Sequence, residues 1–296
     1  MVNMRVGGFE LPEPLPRLRQ PHVIASLTPW IDAGGAGTLA LTRLEQLLGA
    51  QDLGSLVNPG SYFDFTRYRP TTRFEDGQRQ TITPNVDVRY AKGQHETDFI
   101  FLHLLEPHAR AEEYLDSVVA LIQYFRVKRY CRIGSTYGGV PHTRPLPVMA
   151  TNNGEPVAGM PGVNTTPPGR YEGPVSILNL IGERASALGI DNMTLVVRLP
   201  QYIRLDEDYS GAARLLNVLC SMYDLPEGIS MGQDSQEQYQ QVSDEFEHNP
   251  GLRAMVKQLE ADYDDRLEHA TEGQPPRLSP SVEEFLEGLG DQLNDP

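Results

Sequence analysis

Cysteine is scarce. Cys131 and Cys220 are the two in 296 residues, each stands in apolar surroundings, and no C-x-x-C spacing occurs. A disulfide framework is thereby excluded, and the pattern suits a reduced, cytosolic chain. Long hydrophobic runs are absent as well: none approaches the ~18 residues of a membrane span. The opening MVNMRVGGFELPEPLPRLRQP has no apolar h-region, so it does not read as a signal peptide. Positive charge is also in short supply, with 25 Lys and Arg against 40 Asp and Glu, a net charge of −15. Residues 231–296 hold 16 acidic and 4 basic residues, so −12 of that total belongs to the C-terminal segment. Phosphate backbones need a basic face, which argues against nucleic acid as a partner.

Several chemical signatures are missing too. Neither G-x-G-x-x-G nor G-x-x-x-x-G-K-[ST] occurs, which excludes the common nucleotide fingerprints. Ser135 has no G-x-S-x-G context, so no hydrolase elbow is visible. His95, His103 and His108 are not spaced as metal ligands and no cysteine joins them, so neither a metal nor a cofactor is expected.

What is present begins with Pro21–Leu48, PHVIASLTPWIDAGGAGTLALTRLEQLL. His22–Leu27 is short and mostly apolar, as a buried strand is. Asp32-Ala33-Gly34-Gly35-Ala36-Gly37-Thr38 is a glycine-rich corner. Leu39, Leu41, Leu44, Leu47 and Leu48 then fall near the i, i+3, i+4, i+7 spacing of an amphipathic helix. Open α/β sheets begin this way, and their ligands sit at the strand ends.

Residues 1–20 are proline-rich and read as an extended arm over the surface. Gly54–Tyr90 reads as β structure: Ser61–Tyr68 alternates aromatic and polar positions, and Asp76-Gly77 signals a hairpin between Thr72–Glu75 and Gln78–Thr83. Asp98–Leu105 is nearly all apolar, as a strand covered on both faces should be. Ala111–Val127 is a helix, Tyr130–Gly134 and Leu146–Thr151 are strands, and Asn152–Gly173 is a long loop rich in Asn, Gly, Pro and Thr. Val175–Leu188 is a helix, Thr194–Leu199 a buried strand, and Gly211–Tyr223 a helix that Asp208 or Ser210 can cap. Beyond Gly228 the helices become polar. Gln233–His248 and Leu252–His269 flank the break Asn249-Pro250-Gly251, and Ser279-Pro280 opens a last short helix. The expected organisation is an arm over 1–20, an α/β core over 21–228 and an acidic helical extension over 229–296 packed on it. A chain of this length buries roughly 75% of its unfolded surface, ample for a core.

Three corners concentrate reactive side chains. Asp32 with Gly34, Gly35 and Gly37 can present backbone N–H groups to an anion at a helix N-terminus, or the glycines can simply permit a tight turn. Gly134–Pro145, GSTYGGVPHTRP, brings together Ser135, Thr136, Tyr137, His142, Thr143 and Arg144. Histidine transfers protons near neutral pH and arginine holds oxyanions bidentately. A rigid loop with His142 bonded to backbone is the simpler account. Arg198-Leu199-Pro200-Gln201-Tyr202 closes an apolar strand. There a buried Arg198 needs a partner, for which Asp206, Glu207 and Asp208 are the near candidates. The acidic run Asp262-Asp264-Asp265 reads as the wet face of a helix.

The ordered segments PHVIASLTPWIDAGGAGTLAL, TDFIFLHLLEPHARAEEYLDSVV, GSTYGGVPHTRPLPVMAT and VVRLPQYIRLDEDYSGAARLLNVL resemble the proteasome assembly chaperone-like family. QLEADYDDRLE and LSPSVEEFLEGL resemble the helical extension of its bacterial branch. The resemblance implies a three-layer α/β/α sandwich akin to the phosphorylase/hydrolase-like fold, with a C-terminal helical hairpin. It also implies a homo-oligomer, a trimer in related bacterial proteins, and no established enzymatic activity. Archaeal relatives dock on the proteasome through a C-terminal hydrophobic-Tyr-X tail. This chain ends Leu293-Asn294-Asp295-Pro296, so docking by that route is not expected. The leading expectation is a cytoplasmic, non-enzymatic protein that binds a protein partner, with no catalytic residue. The alternative is a small-molecule-binding protein or enzyme whose strand-end pocket is lined by Asp32, Gly34, Gly35, His142, Arg144, Arg198 and Tyr202.

Overall fold

The structure, a computed structural model, describes residues 3–75, 77–157, 159–160, 162–164, 172–226 and 232–269. In chain order its elements are β1 (Asn3–Val6), β2 (Phe9–Pro12), β3 (His22–Thr28), α1 (Ala36–Leu48), β4 (Gln51–Leu56), β5 (Thr71–Glu75), β6 (Gln78–Ile82), β7 (Asp87–Ala91), β8 (Phe99–Leu105), α2 (Ala111–Tyr124), β9 (Arg129–Gly138), β10 (Val148–Asn152), β11 (Glu155–Pro156), β12 (Val163–Asn164), α3 (Ile177–Ala187), β13 (Asp191–Pro200), α4 (Tyr209–Tyr223), α5 (Gly232–Glu247) and α6 (Pro250–His269). This is the α/β sandwich with a helical C-terminal region that the sequence implies. The chain forms two compact units. One comprises Met1–Ile31, Leu41–Ile133 and Glu172–Met193, the other Asp32–Ala40, Gly134–Tyr171 and Thr194–Pro296.

In the first unit the apolar run of β8 is paired on both sides. It runs parallel to β3 from His22↔Phe99 to Thr28↔Leu105, and antiparallel to β7. The order there is β1-β2-β4-β7-β8-β3, followed by the leading ends of β9 and β13. Two parallel neighbours of β3 make the centre, and a wholly antiparallel flank runs outward from β7. Val23, Ala25 and Leu27 of β3 join Ile100, Leu102 and Leu104 of β8 in one apolar cluster. Tyr114, Val118, Leu121 and Ile122 of α2 and Ile177, Leu178 and Ile181 of α3 belong to it too. Each large side chain buried there contributes about 1.5–3 kcal/mol.

Residues 3–12 differ from the expected surface arm. Asn3–Val6 and Phe9–Pro12 pair as a hairpin, β2 joins β4, and Phe9 and Leu11 are fully buried. The period-two pattern of Phe9 and Leu11 outweighs the prolines that follow. Further along, Asp98 ties the segment before β3 to the sheet. Its fully buried carboxylate accepts from Arg19 N and Nη2, each at 2.7 Å, from Lys92 Nζ at 2.9 Å and from Gly93 N at 3.1 Å. Burial would push that carboxyl up, but the hydrogen bonds prevail and hold it at about 2.

Ser61–Tyr68 is not a strand. Pro59–Ser61 is a short 3-10 turn, and the Asp64 side chain accepts from Thr66 N at 2.8 Å and from Thr66 Oγ1 at 2.7 Å. Such local side-chain bonds give the backbone an alternative to a ladder. Tyr62 and Phe63 instead pack edge-on against Tyr114. The expected hairpin forms as β5 with β6, every residue of the two strands exposed.

The second unit contains the trailing ends of β9 and β13, β10 with β11 and β12 beside it, and helices α4, α5 and α6. Leu195, Val197 and Leu199 alternate inward along β13, so Arg198 lies on the other face. In α4, Ala212, Leu215, Leu216 and Leu219 are buried. Met255, Val256 and Leu259 of α6 form a small cluster with Tyr202, Phe246 and Leu252. The helix expected from Ser279 lies outside the described residues, as does much of the loop after Asn152.

Gly54 sits at a register shift in β4 with φ +150°, and a Cβ there would stand 2.3 Å from Glu10 O. Gly54→Ala is expected to lower unfolding free energy by about 2–3 kcal/mol through strain and overpacking. Gly49 has φ +61° but open space around it. Gly49→Ala should cost only about 1 kcal/mol. Urea denaturation of both variants checks the contrast.

Candidate functional site

All seven residues expected to line a pocket fall in the second unit. At the corner after β3, Ala33–Gly35 forms a 3-10 turn with Gly34 at φ +56°. The Asp32 carboxylate closes it: Oδ1 accepts from Gly37 N at 2.8 Å and Thr38 N at 3.2 Å, and Oδ2 from Thr38 Oγ1 at 2.7 Å. The N–H groups at the start of α1 thus meet the chain's own carboxylate. Gly34 O accepts from Asp208 N at 2.7 Å, and a Cβ on Gly34 would lie 2.8 Å from Asp208 Cβ. Close approach to Asp208 therefore requires glycine at position 34.

His142 and Tyr202 meet directly. Tyr202 Oη lies 2.7 Å from His142 Nδ1 and accepts from His142 N at 2.9 Å. On the other side of the ring, Nε2 is 3.0 Å from Ser243 Oγ, which itself donates to Tyr239 O at 3.0 Å. Ser243 has thus used its proton, so Nε2 carries the imidazole N–H and Nδ1 accepts from Tyr202. Burial pushes His142 below its ordinary value, against an opposing pull from Glu260. The rings of Tyr202, Tyr239 and Phe246 enclose the imidazole at centroid distances of 5.6–6.0 Å. A neutral imidazole with both nitrogens engaged fastens α5.

Arg144 fastens α6. Its Nε and Nη2 donate to the two oxygens of Asp264 at 3.0 and 2.8 Å, and Nη1 donates to Glu260 Oε1 at 3.1 Å. Thr143 Oγ1 adds a bond to Glu260. Asp264 is therefore an ion-pair partner, not part of a wholly wet face as expected. Its sequence gives no sign of a partner 120 residues away.

Arg198 also departs from expectation. Asp208 Oδ1 accepts from Gly211 N at 2.7 Å and Oδ2 from Tyr239 Oη at 2.9 Å, and Glu207 accepts from Tyr209 Oη at 2.7 Å. The Arg198 guanidinium instead donates from Nη2 to Met149 Sδ at 3.8 Å. Its stem lies against Gly138, where a Cβ would come within 2.4 Å of Cδ. So the structure joins His142 to Tyr202 and Gly34 to Asp208. The recorded contacts of Arg144 and Arg198 lead elsewhere, to α6 and to β9 and β10.

A further polar cluster, in the first unit, was not anticipated. Glu45 on α1 is buried, with His103 Nε2 at 2.8 Å and Arg89 Nη1 at 3.2 Å. Its one sequence signal is an acid amid the leucines of the α1 apolar face. Among the described residues, no group of three or more His, Cys, Asp or Glu is placed to hold a metal, and no helix is long and apolar enough to cross a membrane.

A mixed sheet opened by a glycine corner and followed by an acidic helical pair defines an α/β class in which the reactive side chains anchor helices. The chain belongs to the PAC2 family, whose pattern it matches over residues 26–247. Among solved structures it is similar to a Corynebacterium glutamicum protein of unknown function, at 22% identity and TM-score 0.78, covering 88% of this chain and 98% of that one. It is similar to a Mycobacterium tuberculosis proteasome-assembly chaperone homologue, at 22% identity and TM-score 0.69, covering 79% and 99%. It also resembles Pyrococcus furiosus PbaB, an archaeal proteasome activator, at 15% identity and TM-score 0.61, covering 80% and 97%. These likenesses show a shared fold. No curated protein matches the chain.

Two expectations follow. His142 is held below the 6.5 of an unfolded histidine, so the unfolded state binds more protons at mildly acid pH. The stability that neutral His142 provides is complete above about pH 6.5, falls as pH drops below it, and stops falling once pH is under the folded value. Urea titrations at a series of pH values should show that loss, reduced in His142→Gln. A remaining slope comes from His22 in the first unit, which burial lowers to about 4. Separately, Asp208→Ala removes a cap and leaves Tyr239 Oη without its acceptor, and should cost about 3 kcal/mol, against about 1 for Asp208→Asn.

Proposed function

We propose that the chain is a non-enzymatic, cytoplasmic assembly factor of its family, working as a homotrimer that binds a protein partner. The observation that carries this reading is how the reactive side chains are used. Both nitrogens of His142 and all three recorded hydrogen bonds of the Arg144 guanidinium go to groups of the chain itself. Those bonds hold α5 and α6, which present exposed Glu237, Asp244, Glu245 and Asp265. A basic partner surface complements such a face. The fold shared with a proteasome-assembly chaperone homologue and a proteasome activator supports a proteasome subunit as that partner.

Light scattering on the purified full chain should give about three times 33.0 kDa. Binding to purified proteasome α-subunits from the same source should be saturable and weaken with salt. Turnover of a metabolite that is lost in His142→Gln would overturn the non-enzymatic reading. A mass of one chain would remove the trimer.

A further inference from the structure

The β5–β6 hairpin has no core of its own. It stands as a two-stranded sheet apart from the large one, and every residue of its strands is exposed. Such a ribbon is marginal in water unless something covers it. Phe74 is 74% exposed, the most exposed large apolar side chain among the described residues. Glu75 follows it, and Asp76, next in sequence, adds a second negative charge. The hairpin therefore presents an aromatic ring beside an acidic turn.

A groove of complementary chemistry lies elsewhere in the first unit. It has a volume of about 410 Å³ and sits where α2 and α3 end. Ile122, Val127, Leu188 and Ile190 supply its apolar lining, Arg126 and Lys128 its charges. No acid lines it, in a chain with 40 acidic and 25 basic residues, and neither cation makes a salt bridge among the described residues. A cation beyond the carbonyl end of a helix is favourable in itself. The backbone shows that Arg126 is nonetheless kept there under strain. Both helices close with the same bond: Val127 N donates to Ile122 O at 3.1 Å, and Ile190 N to Ala185 O at 3.0 Å. The residue before each of those donors is left-handed. In α3 it is Gly189, at φ +74°, and in α2 it is Arg126, at φ +53°. Glycine adopts that conformation freely and arginine does not. Ile122 and Val127 are only 1% and 4% exposed, so the groove offers a small molecule little apolar area. A protein partner adds contacts outside the groove.

We propose that this groove receives the β5–β6 hairpin of a second copy, with Phe74 on its apolar lining and Glu75 against Arg126 and Lys128. Charges of both signs find counterparts. Alternation places Phe74 and Arg79, which pair across the ladder, on one face of the hairpin, and Arg73 on the other. Glu112 and Asp116 stand eleven and seven residues before Gln123, which also lines the groove, so they share its face of α2 and offer acids to Arg79. Asp116 is bonded to Arg184 as well, at 3.3 Å. A knob on one patch and a groove on another make a head-to-tail contact, the kind that closes into rings such as a trimer. The proposal rests on the homotrimer reading and names the surfaces it uses.

Sedimentation equilibrium of the full chain over a dilution series reads this contact. The wild type should associate, and Phe74→Asp, Glu75→Lys and Lys128→Glu should each weaken association at least about tenfold. The double variant Glu75→Lys with Lys128→Glu should recover most of that loss, because the exchanged charges attract again. Phe74 and Glu75 are exposed, so their variants should keep the wild-type Tm of the dissociated chain. Arg126→Gly should weaken association while raising that Tm, since it relieves the left-handed backbone. An arginine present only for the fold would lower it. Oxidising a mixture of Phe74→Cys and Leu188→Cys chains should join one to the other, since Cys131 and Cys220 are buried. A trimer whose dissociation none of these substitutions changes overturns this contact and leaves the homotrimer reading intact. A wild type of single-chain mass overturns both. Unchanged self-association with loss of binding to proteasome α-subunits gives the hairpin or groove to the partner protein, and so also overturns the contact.

Discussion

The second unit depends on one carboxylate. Asp208 is buried, and its backbone N–H and its two carboxylate oxygens each serve a different segment. Its backbone N–H donates to Gly34 in the corner, Oδ1 caps α4, and Oδ2 takes the Tyr239 hydroxyl of α5. From Tyr239 the chain of bonds continues through its carbonyl to Ser243 and so to His142. Burial raises the Asp208 carboxyl above its ordinary value, and hydrogen bonds from Gly211, Tyr239 and Ser210 offset only part of that rise. A shorter side chain would not reach these donors. A Cβ at position 34 would come within 2.8 Å of the Asp208 Cβ, so this approach needs glycine there. Corner, helix start and helical extension are therefore tied together at a single residue.

Two kinds of charge use follow within that unit. Arg144 is paired with Glu260 and Asp264, which ties its loop to α6. Arg198 and Arg266 make no such carboxylate bond among the described residues, although acids abound in the chain. Stability favours the first arrangement.

The sequence revealed those parts of the fold that depend on local pattern. The apolar run of β8, the periodicity of α2 and the break at Asn249-Pro250-Gly251 all correspond to elements within a few residues of expectation. Patterns that admit two explanations misled. Ser61–Tyr68 alternates as a strand does, but Asp64 bonds its own backbone and the aromatic rings pack on α2. Prolines hid the alternation of Phe9 and Leu11. At the site, the link from His142 to Tyr202 joins two stretches already singled out, and only their contact was unforeseen. The partners of Arg144 were not legible, because an acid on an exposed helix looks the same whether or not a distant guanidinium meets it. Arg198 was expected to find an acid nearby, but Asp208 and Glu207 had other donors to satisfy.

Neither cysteine forms a disulfide, and both are buried. Around Cys131 the apolar surroundings push the thiol up to about 12, despite two neighbouring arginines that pull it down. At neutral pH its thiolate, the nucleophile that oxidants and electrophiles attack, is strongly disfavoured by that burial. Cys131 is therefore chemically silent, and its contribution to the fold is indifferent to the redox poise around it.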